Sequence, residues 1–178
     1  MLGIVFSEFT QMVEDKFSMD TLDDILDASQ NPHDGSYTAV GVYEHKELID
    51  LVVALSEKTG VPADDLVQAF GEHMLARFNE LYPMFFQDQD DMFKFLEGIE
   101  KRIHSEVRKL YPSAELPMID WECPEPNIMQ LHYKSGRPFA ALALGLAKGC
   151  IAHFNESCEI TMEGSPTDAI ITLKRVPR

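Results

Sequence analysis

The chain has 178 residues and a formal net charge of −15, and 45% of its residues are hydrophobic. This length suits one domain with a buried core, and the composition is that of an ordinary soluble protein. The negative charge argues against nucleic acid and anionic membranes as partners, and no apolar run reaches the roughly 18 residues of a membrane span. Three cysteines and an N-terminus without a basic signal-peptide segment lead us to expect a cytoplasmic protein.

The N-terminal two thirds of the chain are predicted to be helical, because apolar residues recur there with a period near 3.6. The predicted helices cover residues 2–17, 21–28, 43–58, 62–81 and 90–110. We expect Asp20 to cap the second helix, Gly60 to end the third, and Asp90 or Asp91 to cap the last and longest one. Gly71 lies inside the fourth helix, which indicates close packing or a hinge.

The C-terminal third has a different pattern, in which prolines separate short extended segments. Strands are predicted around 119–121 and at 128–133, 157–162 and 169–175, and Pro138 opens a further helix over 139–154. The fold class is therefore α+β, in a single domain with two lobes and a small antiparallel sheet of about four strands.

Tyr133, Ser135 and Arg137 form the first candidate site. If the strand at 128–133 continues through them, their side chains alternate with those of Lys134 and Gly136 and point to one face. A guanidinium with two neighbouring hydroxyl groups is suited to binding carboxylates. The alternative interpretation is that these residues are simply the polar outer face of a hairpin.

His104 is the second candidate. It lies on the predicted helix 90–110, at the edge of an apolar stripe that contains Leu96 and Ile103. A histidine in this position is often a boundary residue of the core. It is also suited to an axial bond to haem iron, because an imidazole facing an apolar cavity is the usual ligand there.

Taken together, these residues resemble the haem–nitric oxide/oxygen binding (H-NOX) family, which is related to the sensor domain of soluble guanylate cyclase. The family motif Tyr-x-Ser-x-Arg is matched by Tyr133, Ser135 and Arg137, and its histidine, about thirty residues upstream, by His104. Pro117 matches the proline that presses on the haem. Gly3 in the opening segment and Gly71 also match, so the resemblance covers essentially the whole chain.

The resemblance implies a bound haem b, which is held between a helical distal lobe, roughly residues 1–60, and a proximal lobe formed by the remainder. His104 would be the iron ligand, and Tyr133, Ser135 and Arg137 would bind the two propionates. The distal wall would be formed by apolar side chains, namely Val5, Phe9, Met74, Phe78, Leu142 and Leu146.

The resemblance also indicates which gas is bound. Oxygen-binding members carry a distal tyrosine nine residues after the motif tyrosine, and this position is Leu142 here. The positions that support that tyrosine are Phe9 and Met74, which are also apolar. Bound O₂ is polarised and is stabilised by a hydrogen-bond donor, whereas NO and CO bind without one. We therefore expect a sensor of NO, which also binds CO and discriminates against O₂.

The resemblance implies a mechanism in which NO binding breaks the bond between His104 and the iron. The haem would then relax from the distortion that Pro117 imposes, and the lobes would shift relative to each other, with Gly71 as the flexible point. No catalytic activity is expected. The output would pass to a separately encoded partner, such as a histidine kinase or a cyclic-di-GMP enzyme.

Three alternatives are an O₂ sensor, a haem enzyme and a haem-free interaction module. A haem enzyme needs a distal acid or base, or a thiolate ligand, and none is predicted here. Some bacterial relatives also carry a C-terminal zinc site. Only Cys158 corresponds to it, so we expect no zinc, and we expect Cys123 and Cys150 to be buried.

Overall fold

The computed structural model describes residues 1–177 and confirms the α+β class. Within these residues there are seven α-helices and four strands. The helices are α1 (Gly3–Lys16), α2 (Met19–Ala28), α3 (His45–Thr59), α4 (Ala63–Leu81), α5 (Met92–Glu97), α6 (Ser105–Leu110) and α7 (Ala140–His153). The strands are β1 (Met118–Glu125), β2 (Ile128–Lys134), β3 (Cys158–Ser165) and β4 (Asp168–Arg175). No helix in the described part of the chain is both long enough and apolar enough to cross a membrane.

The chain divides into two compact units, residues 1–70 and the part from Gly71 onward. The division falls inside α4, later in the chain than the lobe boundary expected near residue 60. The identification of these units with a distal and a proximal lobe stays a prediction.

In the first unit local capping accounts for two helix boundaries, the start of α2 and the end of α3. The Ser18 hydroxyl accepts a hydrogen bond from the backbone N–H of Thr21 at 3.0 Å, so Ser18 caps α2 and the assignment to Asp20 was wrong. Gly60 ends α3 as predicted, in the left-handed conformation (φ 74°).

The interior of the first unit is built from large apolar side chains of α1, α2, α3 and the start of α4. Phe9 and Phe70 are buried and meet edge to face, with 5.2 Å between their ring centroids. Burying such aromatic pairs stabilises a core through both area and ring geometry.

The second unit contains one antiparallel sheet with the strand order β1-β2-β4-β3. Alternate residues of the two central strands are buried on one face, as a period of two requires. Across this face Met129 lies opposite Leu173, Leu131 opposite Ile171, and Tyr133 opposite Ala169.

Helix α7 packs against β3 and β4 and supplies the next layer of the core. Its sequence is apolar nearly all round, which is typical of a buried helix. The buried cluster also includes Phe93, Phe95 and Leu96 of α5. The sheet, α7 and α5 thus form one core, and this core supports the segments that carry the candidate residues.

Candidate functional site

His104 lies at the end of a π-helical segment, Ile99–His104, between α5 and α6. The helix predicted over 90–110 is present from Met92 to Leu110, but it changes type in its middle: α5 ends at Glu97, Gly98 is a turn, and the π-helical segment leads into α6. Asp91 caps α5 by accepting a hydrogen bond from the Lys94 N–H at 3.1 Å, in agreement with the predicted start. Single π-helical turns occur frequently at functional sites.

The imidazole of His104 is mostly buried, with 14% of its side chain exposed, and its Nδ1 lies 2.7 Å from Oε1 of Glu100. Burial lowers the pKa of His104 by more than the Glu100 carboxylate raises it, so the ring is neutral near pH 7. An ionised carboxylate only accepts hydrogen bonds, so we assign the proton to Nδ1. Nε2 then carries the free lone pair, as an iron ligand requires.

Glu100 is itself held by several partners. Its Oε1 also accepts a hydrogen bond from the backbone N–H of Ile119 at 2.9 Å, and Arg108 donates to Oε2 at 3.1 Å. Burial raises the pKa of Glu100, but the hydrogen bonds from Ile119, His104 and Arg108 outweigh this effect, so the pKa lies below its usual value. The carboxylate is therefore ionised and fixed in place beside His104.

Tyr133, Ser135 and Arg137 are brought together, although not by the predicted strand alternation. Strand β2 ends at Lys134, and the chain turns over 135–138. The Tyr133 hydroxyl donates to the carbonyl of Arg137 at 3.1 Å, and the backbone N–H of Arg137 donates to the Ser135 hydroxyl at 3.1 Å. Tyr133 is buried, and this burial raises the pKa of its phenol. The phenol and the hydroxyl thus shape the turn that presents the guanidinium.

The guanidinium of Arg137 donates to the backbone carbonyl of Glu115 at 3.0 Å and lies 2.5 Å from its carboxylate. Arg137 is largely buried, with 16% of its side chain exposed, whereas the Glu115 side chain is 79% exposed. The turn thus holds the Arg137 guanidinium in a position from which it can donate hydrogen bonds to a carboxylate.

Pro117 lies between these two groups of contacts. Arg137 holds Glu115, two residues before the proline, and Glu100 holds the N–H of Ile119, two residues after it. The segment around Pro117 is therefore fixed on one side by the predicted propionate ligand and on the other by the carboxylate that contacts His104.

Four of the six predicted distal residues lie in the second unit. Met74 and Phe78 are on α4, and Leu142 and Leu146 are on α7; Met74 is buried, whereas the other three are partly buried. A Cβ at Gly71 would lie 2.5 Å from the Leu142 carbonyl oxygen, so this glycine allows the backbones of α4 and α7 to approach closely.

The remaining two distal residues, Val5 and Phe9, belong to α1 in the first unit, where Phe9 is buried and Val5 is partly buried. The short distance between a Cβ at Gly71 and the Leu142 carbonyl oxygen confirms the close packing predicted for Gly71, whereas its role as a hinge stays a prediction.

The cysteines differ in their surroundings. Cys150 is buried as expected, and burial raises the pKa of its thiol to about 12. Cys123 is exposed, contrary to expectation; it lies on the edge strand β1, whose residues are mostly exposed. Cys158 is partly buried, and its Sγ lies 4.0 Å from the Glu156 carboxylate. Residues 1–177 contain no group of three or more His, Cys, Asp or Glu side chains placed to hold a metal ion.

Glu100 and Glu115 were not identified from the sequence. Glu100 carried a usable signal, because Glu100, His104 and Arg108 are spaced four residues apart, and such residues are neighbours on a helix. Glu115 carried no local signal, since its partner Arg137 is 22 residues away.

Comparisons with known proteins match nearly the whole chain. The sequence pattern of the family described as Haem-NO-binding matches residues 2–162. The Fe(II) unliganded H-NOX protein from K. algicida is 36% identical with a TM-score of 0.92, over 100% of this chain and 98% of that one. The IWP-051-bound H-NOX from Shewanella woodyi in the Fe(II)CO state is 41% identical with a TM-score of 0.85, over 100% and 96%.

An H-NOX protein from S. oneidensis in the Fe(II)NO state is 26% identical with a TM-score of 0.91, over 99% of this chain and 100% of that one. No curated protein sequence matches the chain.

Proposed function

This chain belongs to the haem-NO-binding family of gas sensors, and from that premise we propose that it binds nitric oxide at ferrous haem b and signals to a separate protein. CO would be a second ligand. The proposal includes a cytoplasmic location, no catalytic activity of its own, and a partner such as a histidine kinase or a cyclic-di-GMP enzyme. These last points rest on the family resemblance and on the composition of the chain.

The observation that carries the proposal is the environment of His104. Its Nδ1 is engaged by Glu100 at 2.7 Å, and burial keeps the ring neutral, so Nε2 is the nitrogen available for iron. Metal-bound histidines in proteins almost always donate their other ring N–H to a carboxylate, a carbonyl or water. The residues present therefore fit a haem with an axial histidine.

The turn after β2 fits the other end of the cofactor. Arg137 would bind one propionate through its guanidinium, and Ser135 and Tyr133 would hold the turn that presents it. The Arg137–Glu115 contact supports this role, because it shows the guanidinium engaged with a carboxylate in a largely buried position.

When bound, the haem iron supplies an open coordination position for a diatomic gas. The preference for NO over O₂ follows from the residues assigned to that side. Leu142, Phe9 and Met74 have no hydrogen-bond donor, so they offer nothing to stabilise polarised O₂. In similar proteins, the S. oneidensis H-NOX structure contains the Fe(II)NO state and the S. woodyi structure contains the Fe(II)CO state.

The test is the visible spectrum of the purified ferrous protein, expressed with haem supplementation, before and after addition of NO, CO or air. We expect a Soret band typical of five-coordinate ferrous haem, adducts with NO and CO, and no stable oxy complex. Absence of a Soret band would refute haem binding and would favour the alternative of a haem-free interaction module. A stable oxy complex would refute selectivity for NO and leave the haem assignment intact.

The iron ligand is tested by replacing His104 with Gly. We expect loss of haem that added imidazole restores, because free imidazole then replaces the missing side chain. His132→Gln is the matched control, since His132 lies on β2 but is much more exposed. Unchanged haem content and spectra in His104→Gly would contradict the assignment.

A further inference from the structure

Glu100 joins three parts of the second unit through one carboxylate. Oε1 accepts from His104 Nδ1 at 2.7 Å and from the Ile119 N–H at 2.9 Å, and Oε2 accepts from Arg108 at 3.1 Å. The carboxylate thus connects the π-helical segment, α6 and the first residues of β1.

The local backbone brings these groups together. Glu100 and His104 lie four residues apart inside the π-helical segment, and the Ser105 N–H bonds to the Glu100 carbonyl, five residues back. Only 27% of the Glu100 side chain is exposed. A partly buried carboxylate that shares one oxygen between two donors has little freedom to rotate, so the imidazole that bonds to it is held in one orientation.

We propose that Glu100 is a positioning residue for the iron ligand: it fixes the orientation and tautomer of His104 and ties that ring to β1 beside Pro117. The inference deepens the proposed function and rests on it. A carboxylate that accepts from Nδ1–H raises the electron density at Nε2, so Glu100 strengthens the bond that His104 makes to iron. Movement of His104 away from iron would pull on Ile119, and through it on the segment that contains Pro117.

The first test measures the iron–histidine stretching frequency of the unliganded ferrous protein by resonance Raman spectroscopy. Glu100→Gln is nearly isosteric but removes the charge, and Glu100→Ala removes the acceptor. We expect a downshift in both variants, larger for Ala. Glu106→Gln is the matched control, because Glu106 lies on α6 and pairs with Lys109. A frequency in Glu100→Gln equal to that of the control would overturn the proposal.

A second test uses the hydrogen exchange of the Ile119 amide in the haem-loaded protein. Exchange should be faster in Glu100→Ala than in wild type or Glu106→Gln, because the N–H loses its acceptor. Unchanged exchange at Ile119 would overturn the tie to β1. If Glu100→Ala does not fold, the exchange measurement is made on Glu100→Met, which has a side chain of similar size and no oxygen acceptor.

Haem release provides a third readout. Transfer of haem to a scavenger protein should be about 10–100-fold faster in Glu100→Ala, the range usual for loss of a residue that supports a metal ligand. If wild type binds haem through His104 but both Glu100 variants behave as Glu106→Gln, only the positioning role is refuted. If wild type binds no haem, the proposed function itself is refuted.

Discussion

Arg137 holds Glu115 twice, through the backbone carbonyl at 3.0 Å and through the carboxylate at 2.5 Å, across 22 residues of sequence. The carbonyl contact fixes the chain just before Pro117. The guanidinium therefore has two roles in the proposed function: it supplies a site for a propionate, and it positions the segment that carries the proline.

Replacing Arg137 with Ala is expected to weaken haem binding. A hydrogen bond to a charged group contributes about 1.5–3 kcal/mol, which corresponds to roughly 10–100-fold in affinity. The measurement is the rate of haem transfer to a scavenger protein. Arg137→Lys should be intermediate, because lysine keeps the charge but not the planar fork.

Two controls separate the roles of Arg137. Lys134→Ala removes a nearby exposed cation that pairs with Asp168, and should leave haem release unchanged. Glu115→Gln removes the carboxylate but keeps the backbone carbonyl, and should retain haem. A rate in Arg137→Ala equal to that of Lys134→Ala would contradict the propionate assignment.

The N-terminal helices could be predicted because they are amphipathic, and Gly60 correctly marked the end of α3, whereas the cap of α2 is Ser18 rather than the predicted Asp20. The change to a π-helical segment before His104 could not be predicted from periodicity, since that reasoning assumes 3.6 residues per turn along the whole helix. Gly98 was the only local sign, and a glycine inside a helical pattern has several explanations.

The grouping of Tyr133, Ser135 and Arg137 was predicted for the wrong physical reason. The prediction relied on strand alternation, but β2 ends at Lys134, and hydrogen bonds within a turn bring the three residues together. Such a turn depends on contacts that alternation does not encode. Pairs that are distant in sequence, such as Glu100 with Ile119, were likewise invisible without the fold.

Gly71→Ala is expected to destabilise the protein although alanine favours helices. Its Cβ would lie 2.5 Å from the Leu142 carbonyl oxygen and 2.7 Å from the Gly145 Cα, and both are backbone atoms. Overpacking of this kind costs about 1–3 kcal/mol, against a helix-propensity gain of about 1 kcal/mol. Thermal unfolding measures the difference. Gly136→Ala is the control, because its Cβ would meet nothing within 4 Å, and equal melting temperatures would contradict the prediction.

Asp91 is expected to make stability sensitive to acid. Burial raises the pKa of Asp91, but hydrogen bonds from the Lys94 N–H and Arg175 outweigh this effect and hold it below the ordinary value of 3.8. The lowered pKa contributes stability that is complete above about pH 4–5 and is lost as the pH falls through the folded pKa. Urea unfolding should therefore show that the free energy of unfolding falls less between pH 7 and pH 3 in Asp91→Asn than in wild type. Asparagine is chosen because it keeps a capping side chain. An equal decrease in the free energy of unfolding in wild type and Asp91→Asn would contradict this role of Asp91.

Leu142→Tyr is expected to convert the protein into one that holds O₂. Leu142 lies on α7 and is partly buried, and the tyrosine hydroxyl would supply the donor that the assigned distal residues lack. The measurement is the spectrum and lifetime of the ferrous protein in air. Leu142→Phe is the matched control, because it introduces the same ring without the hydroxyl. A stable oxy complex in the tyrosine variant alone would assign the effect to the hydrogen bond. Equal behaviour of the two variants would mean that residue 142 does not face the bound gas.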